Sequence, residues 1–248
     1  MDMVAASWRL TPQSLPLLPP KVRSFRVSSS SSSSSLSLSP VIQKTLSLIQ
    51  NSGVIACLRA NSAELAYEAA TATLDGGISV LEIVMSTPGV FQVLRQLVND
   101  YPTLALGVGT ALNAEDARNA MNAGAKFFMS PATVKDIMED VVKDEILCIP
   151  GVMTPTEVYP VSALGGVQYI SALKKPFPHI PMVASQGIMI DSIGEYISSG
   201  ASSVVLSDAI FDKGAMAQRN FNAIHQLASL AALEGKEAVE RKRSFTPN

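Results

Sequence analysis

From residue 41 onward, short apolar runs alternate with longer stretches whose apolar positions recur every three or four residues. VIACL (54–58) predicts a first strand. SAELAYEAATATLDGG (62–77) then has helical spacing, with Ser62 or Asn61 as N-cap and Gly76–Gly77 as the stop. SVLEIVM (79–85) predicts a second strand, followed by a helix opening at Pro88, where a missing N–H costs nothing. TLALGVG (103–109) predicts a third, with a helix from Ala114 to Gly124. KFFMS (126–130) is the fourth, with a helix over about 132–143, and EILCIP (145–150) is the fifth. PMVAS (181–185) and SSVVLS (202–207) come late, each ahead of a helical run.

Strands that are apolar throughout and alternate with helices imply a parallel sheet covered on both faces. The unit length and total size fit an α/β fold of the (β/α)8 TIM barrel type, with a doubly wound open sheet as the alternative. One interval breaks the rhythm. Neighbouring runs start about 20–25 residues apart, but the fifth and the next start about 35 apart. That is too long for one unit and too short for two. Only seven runs are clear, and the missing strand belongs between Pro150 and Pro181. EVYPV (157–161) could be its stub, but Pro160 interrupts it, which a central strand tolerates poorly. The sixth strand of the barrel is therefore expected to be truncated or missing.

Composition narrows the classes. The 248 residues are 47% hydrophobic and carry a net charge of −2. That balance argues against a nucleic-acid partner, which needs a cationic excess. No run of about 18 apolar residues predicts a membrane span. Cys57 and Cys148 each lie in an apolar run and are expected to be reduced core cysteines. The first forty residues differ from the rest. They hold thirteen serines, four basic residues and one acid, Asp2. Such a segment reads either as a transit peptide, plastid before mitochondrion, or as an ordinary disordered tail. Removing its net +3 from the chain's −2 leaves −5 on residues 41–248, the expected single barrel domain.

In a barrel the chemistry sits at the C-terminal ends of the strands. Glu82 stands mid-strand among apolar residues. Inside a barrel, low dielectric would raise its pKa and suit it to acid–base work; a structural salt bridge is the alternative. Thr110, Ser130, Ser185 and Ser207 end their strands, and hydroxyls and glycine amides after the last two strands suit phosphate, or simply make turns. Arg59 follows the first strand and could clamp an anion, or be a surface arginine. His179 and His225 have no ligand-spaced neighbours, so no zinc site is expected. No dinucleotide fingerprint or P-loop is present.

GVIACLRA, GGISVLEIVMSTP, VGTALN, AGAKFFMSP, IPGVMTPTE, YPVSALGG and KPFPHIPMVASQGI occur in an order that resembles the 2-keto-3-deoxy-6-phosphogluconate / 4-hydroxy-2-oxoglutarate (KDPG/KHG) aldolases, over about residues 41–235. The resemblance implies a (β/α)8 barrel, usually trimeric, that cleaves 2-keto-4-hydroxy acids to pyruvate and an aldehyde. It implies a small keto-acid partner, no metal and no other cofactor. In the family a sixth-strand lysine forms a Schiff base that acts as electron sink. By resemblance Glu82 shuttles protons, Arg59, Thr110, Pro160 and Ser185 contact substrate, and Gly187 and Ser207 meet a phosphate.

The sequence departs from this pattern. The lysine normally precedes an aromatic–Pro pair; here the pair is Tyr159–Pro160 and the lysine position is Glu157. PTE runs directly into VYP, without the family's intervening residues. Ser86 stands where some members carry a substrate arginine. The family's P-T-G-G reads Ala184, Ser185, Gln186, Gly187, and the glycines before Ser207 are Val205 and Leu206. Lost glycines weaken phosphate binding, which favours unphosphorylated keto acids. Lys126, Lys174 and Lys175 are placed at the wrong end of the barrel to replace the lysine. An aldolase-family chain with impaired imine chemistry is thus expected, or else a non-catalytic subunit that binds keto acids or co-assembles with a full-length aldolase.

Overall fold

The computed structural model describes residues 39–141, 146–151 and 165–245. All seven strands expected from the sequence form, and all are parallel: β1 (Val54–Leu58), β2 (Val80–Val84), β3 (Ala105–Gly109), β4 (Phe127–Ser130), β5 (Leu147–Pro150), β6 (Val183–Ser185) and β7 (Ser203–Leu206). Their order in the sheet is β5-β4-β3-β2-β1-β7-β6. A doubly wound sheet reverses its strand order about the first strand; here strands are added sequentially, as in a barrel opened between β5 and β6. The sheet curls into part of such a barrel. EVYPV, the candidate stub of the remaining strand, lies outside the described residues.

Alternation along each strand sorts the apolar residues into two cores. Ala56, Leu58, Leu81, Ile83, Leu106, Val108, Phe128, Val204 and Leu206 face outward, against the surrounding helices. Ile55, Val80, Ala105, Phe127 and Val205 face the hollow of the curled sheet. Helix α1 (Pro40–Ser52) fills the hollow at the strands' N-terminal end: its Ile49 is buried in that inner cluster, and it touches β1, β2, β3, β5 and β7. Gly53, left-handed at φ 69°, ends α1 and feeds directly into β1.

The outer layer comprises α2 (Ala63–Asp75), α3 (Val90–Asp100), α4 (Ala114–Asn122), α5 (Lys135–Val141), α6 (Val167–Lys174), α7 (Ile193–Ser198), α8 (Lys213–Ala217) and α9 (Phe221–Phe245). Ser62 caps α2, its Oγ accepting from Leu65 N–H at 3.2 Å. Asn113 caps α4, accepting from Asp116 N–H at 2.8 Å. Two helices start later than their sequences suggest. α3 begins at Val90 rather than Pro88, because Gly89 adopts φ 70° and interrupts helical geometry. α5 begins at Lys135 rather than near Ala132: Ser130 Oγ donates to the Ala132 carbonyl at 2.7 Å and holds that segment in a turn.

Gly107 marks the tightest point of the inner face. A Cβ there would lie 2.8–2.9 Å from the Phe127 ring, with the Phe127 carbonyl also in the way. Gly107→Ala is expected to cost about 3 kcal/mol by overpacking, read as a lower urea midpoint at unchanged m-value.

Candidate active site

Glu82 lies at the centre of β2, two residues from inward-facing Val80, so its side chain enters the hollow. In register it faces Cys57 on β1 and Gly107 on β3. It is 4% exposed, and its Oε2 has no hydrogen-bond partner among the described residues. The carboxyl fits because β3 carries no side chain beside it: a Cβ at Gly109 would fall 2.5 Å from Oε2 and 3.1 Å from Oε1. Burial pushes its pKa up to about 7, and a hydrogen bond from the Cys57 thiol pulls it partly back. No cation pairs with it among the described residues, which excludes the salt-bridge reading there. Cys57 is pushed well above its ordinary range by burial and then by the Glu82 carboxylate; Arg59 and a hydrogen bond with Ser207 oppose the shift.

Beyond Cys57, at the C-terminal ends of β1, β7 and β6, opens a cleft of about 1040 Å3. Arg59, Ser185, Gly187 and Ser207 all line it, as the sequence suggested, and no carboxylate pairs with Arg59 among the described residues. Thr110 is not among the cleft's lining residues. It ends β3 at φ 63°, a conformation a β-branched residue rarely adopts. Backbone bonds hold it there: Met85 N–H donates to the Gly109 carbonyl at 2.9 Å, and Ala111 N–H to the Met129 carbonyl at 3.0 Å. Glu157 and Pro160 lie outside the described residues.

The substitute lysines stay at the far end. Lys126 Nζ donates to the Leu104 carbonyl at 2.7 Å, at the base of β3, and Lys174 Nζ to the Ile180 carbonyl at 2.7 Å, below β6. Cys57, Lys213 and Arg219 also line the cleft, and the sequence did not mark them as site residues. The alternation Ile55–Cys57–Arg59 carried a usable signal for Cys57, since it shares Glu82's inward face. Lys213, paired with Asp208 at 3.4 Å, and Arg219, bridging to Glu64 at 3.3 Å and to Glu68, arrive through tertiary packing that no local motif announces.

A curled parallel sheet with an acid inside and hydroxyl and amide groups at its C-terminal rim is the architecture of an enzyme-type (β/α) barrel. The family model for "KDPG and KHG aldolase" matches residues 46–227, and the chain belongs to that family. A 2-dehydro-3-deoxy-phosphogluconate aldolase of Pseudoalteromonas atlantica is 32% identical over 142 residues, 52% of this chain and 66% of that protein. The KHG/KDPG aldolase of Escherichia coli is 24% identical over 78% of this chain and 94% of its own length. The KDPG aldolase structure from Legionella pneumophila, solved with pyruvate captured as a covalent carbinolamine, superposes with a TM-score of 0.69 at 27% identity, covering 75% of this chain and 96% of that one.

The raised pKa of Glu82 has a stability consequence. Below pH 4.5 the carboxyl is protonated both folded and unfolded. Between 4.5 and about 7 the unfolded chain ionises and the folded one does not, so stability falls as pH rises, by on the order of 3 kcal/mol in all. Urea unfolding across this window is expected to show that decline, and Glu82→Gln to flatten it.

Proposed function

We propose that this chain is a class I aldolase-family protein built for 2-keto-4-hydroxy acids, and that its own imine chemistry is lost or strongly impaired. The observation that carries the substrate reading is the unpaired Glu82 carboxyl, buried beside an open cleft with a pKa of about 7. Such a group exchanges a proton readily at neutral pH, which cleavage to pyruvate and an aldehyde requires. Arg59 offers a bidentate clamp for the substrate carboxylate. The family resemblance gives substrate contacts to Thr110 and Pro160 as well, while Ser185, Gly187 and Ser207 line the cleft and receive the other end of the substrate.

Impairment follows from the junction after β5. In the family reading, a lysine amine attacks the ketone, water leaves, and the protonated imine takes the electrons of the breaking C3–C4 bond. Glu157 occupies that lysine's place and cannot form an imine. Chain length supports an internal deletion. Each single-helix connection between successive strands uses 16–21 residues: 59–79, 85–104, 110–126, 131–146 and 186–202. Only residues 151–166 lie between β5 and α6. That length serves one helix with its turns, and a sixth strand needs more.

Residues 1–40 act as a plant-type transit peptide, directing residues 41–248 to a plastid, with the mitochondrion as alternative; their Ser-rich, acid-poor composition supports this. The barrel domain assembles as a homotrimer, as the family resemblance implies. A second reading keeps the cleft and drops the chemistry: a subunit that binds keto acids or co-assembles with a full-length aldolase. It is favoured by the formed cleft alongside the absent lysine.

Incubation with pyruvate and borohydride, followed by mass analysis, is expected to leave every lysine unmodified. A reduced pyruvyl adduct on any lysine contradicts the loss of imine chemistry.

A further inference from the structure

We infer that Cys57 is a positioning residue for Glu82: the buried carboxyl meets the cleft through the Cys57 thiol, and its proton arrives and leaves by that route. This role rests on the reading of the cleft as a keto-acid site and concerns how the acid of that site is reached.

Three adjacent strands set the arrangement. Glu82 on β2 is the register partner of Cys57 on β1, and Ser207 follows Leu206 on β7, the register partner of Ala56. Ile55 and Val205 face the hollow, so Cys57 and Ser207, two residues further on, face it too. The three side chains thus form a row across β7, β1 and β2. Their exposure differs along it. Ser207 and Cys57 line the cleft and are partly exposed. Glu82 is not among the lining residues; it is 4% exposed, and its Oε2 has no hydrogen-bond partner among the described residues. On its other side Gly107 and Gly109 bring no side chain, and the inner cluster is apolar. Among the described residues, Cys57 is the polar group that stands between the carboxyl and the cleft.

Hydrogen bonding gives the thiol a direction. The Ser207 hydroxyl donates to Cys57 Sγ, and the Cys57 S–H donates to the Glu82 carboxyl. A thiol has one proton, and here it is committed to Glu82. Burial and the neighbouring carboxylate keep that thiol protonated at neutral pH, which makes it a poor nucleophile. It suits a relay instead. A proton from a donor in the cleft binds Sγ as the S–H proton passes to the Glu82 carboxylate. One S–H bond forms and one breaks, Glu82 gains a proton, the donor loses one, and the thiol ends unchanged. The reverse step returns the proton, and no free thiolate is needed.

The test follows the Glu82 carboxyl carbon by NMR in the full 13C-glutamate-labelled chain, without ligand, for wild type, C57S and C57V. Wild type and C57S keep a group that can pass a proton, and each is expected to give one averaged resonance that moves with pH. C57V fills the space but removes the relay. It is expected to give separate protonated and ionised resonances that trade intensity, because proton transfer has become slow. Its midpoint is expected to rise by about one pH unit, since the lost hydrogen bond favoured the ionised form. A Cys57 that only fills space would leave C57V like wild type. Averaged exchange in C57V overturns the inference, as does slow exchange in wild type or a C57S chain that behaves as C57V does. These measurements use no ligand, so their failure is separate from failure of the keto-acid reading. That reading fails instead if pyruvate does not slow alkylation of Cys57 by iodoacetamide in the wild-type chain.

Discussion

Glu82 puts an ionisable group inside a sheet whose other inward residues near it are apolar, and a buried charge without a partner is costly. The molecule accommodates it by shape and by proton. Gly107 and Gly109 leave the neighbouring strand bare, and the space a Cβ would take at Gly109 is the space the carboxyl fills. The proton does the rest: burial shifts the acid until it is protonated about half the time near neutrality. Cys57, in register on the other side, donates to the carboxyl and gives up acidity of its own. Helix α1 seals the strands' lower ends with Ile49, so the hollow opens toward the C-terminal rim where the cleft lies.

This dependence explains what could be read from the sequence. The strands were legible because each is buried on both faces and so reads as an unbroken apolar run bounded by glycine, proline or a capping residue. Glu82 was legible for the same reason, as a single carboxylate where none belongs without a use. Arg59, Ser185 and Ser207 could be placed at the cleft by strand-end position alone, since a barrel gathers its strand ends at one rim, and Gly187 by its place in the family motif. Helix starts were less legible. Gly89 could serve as an ordinary helix residue until its backbone turns left-handed, and the sequence does not carry φ. Cys57 was read as core although it shares an inward face with Glu82, because pairing register between strands 25 residues apart is a tertiary property.

The interval after β5 is where the sheet stops following the sequence rhythm. β5 and β6 are the two outer strands of the described sheet, and they bracket the one connection that breaks the strand spacing. The resemblance places the imine lysine in that same interval. The rim from β1 through β7 to β6 lines the cleft, beside the inward-facing Glu82.

Direct titration of the Glu82 carboxyl bears most closely on this account. The carboxyl carbon can be followed by NMR in the 13C-glutamate-labelled chain and assigned by its absence in Glu82→Gln. A single titration near pH 7 is expected. A titration at the ordinary value near 4.5 would mean that Glu82 is solvated or ion-paired, and would contradict the buried, proton-holding acid on which the site depends.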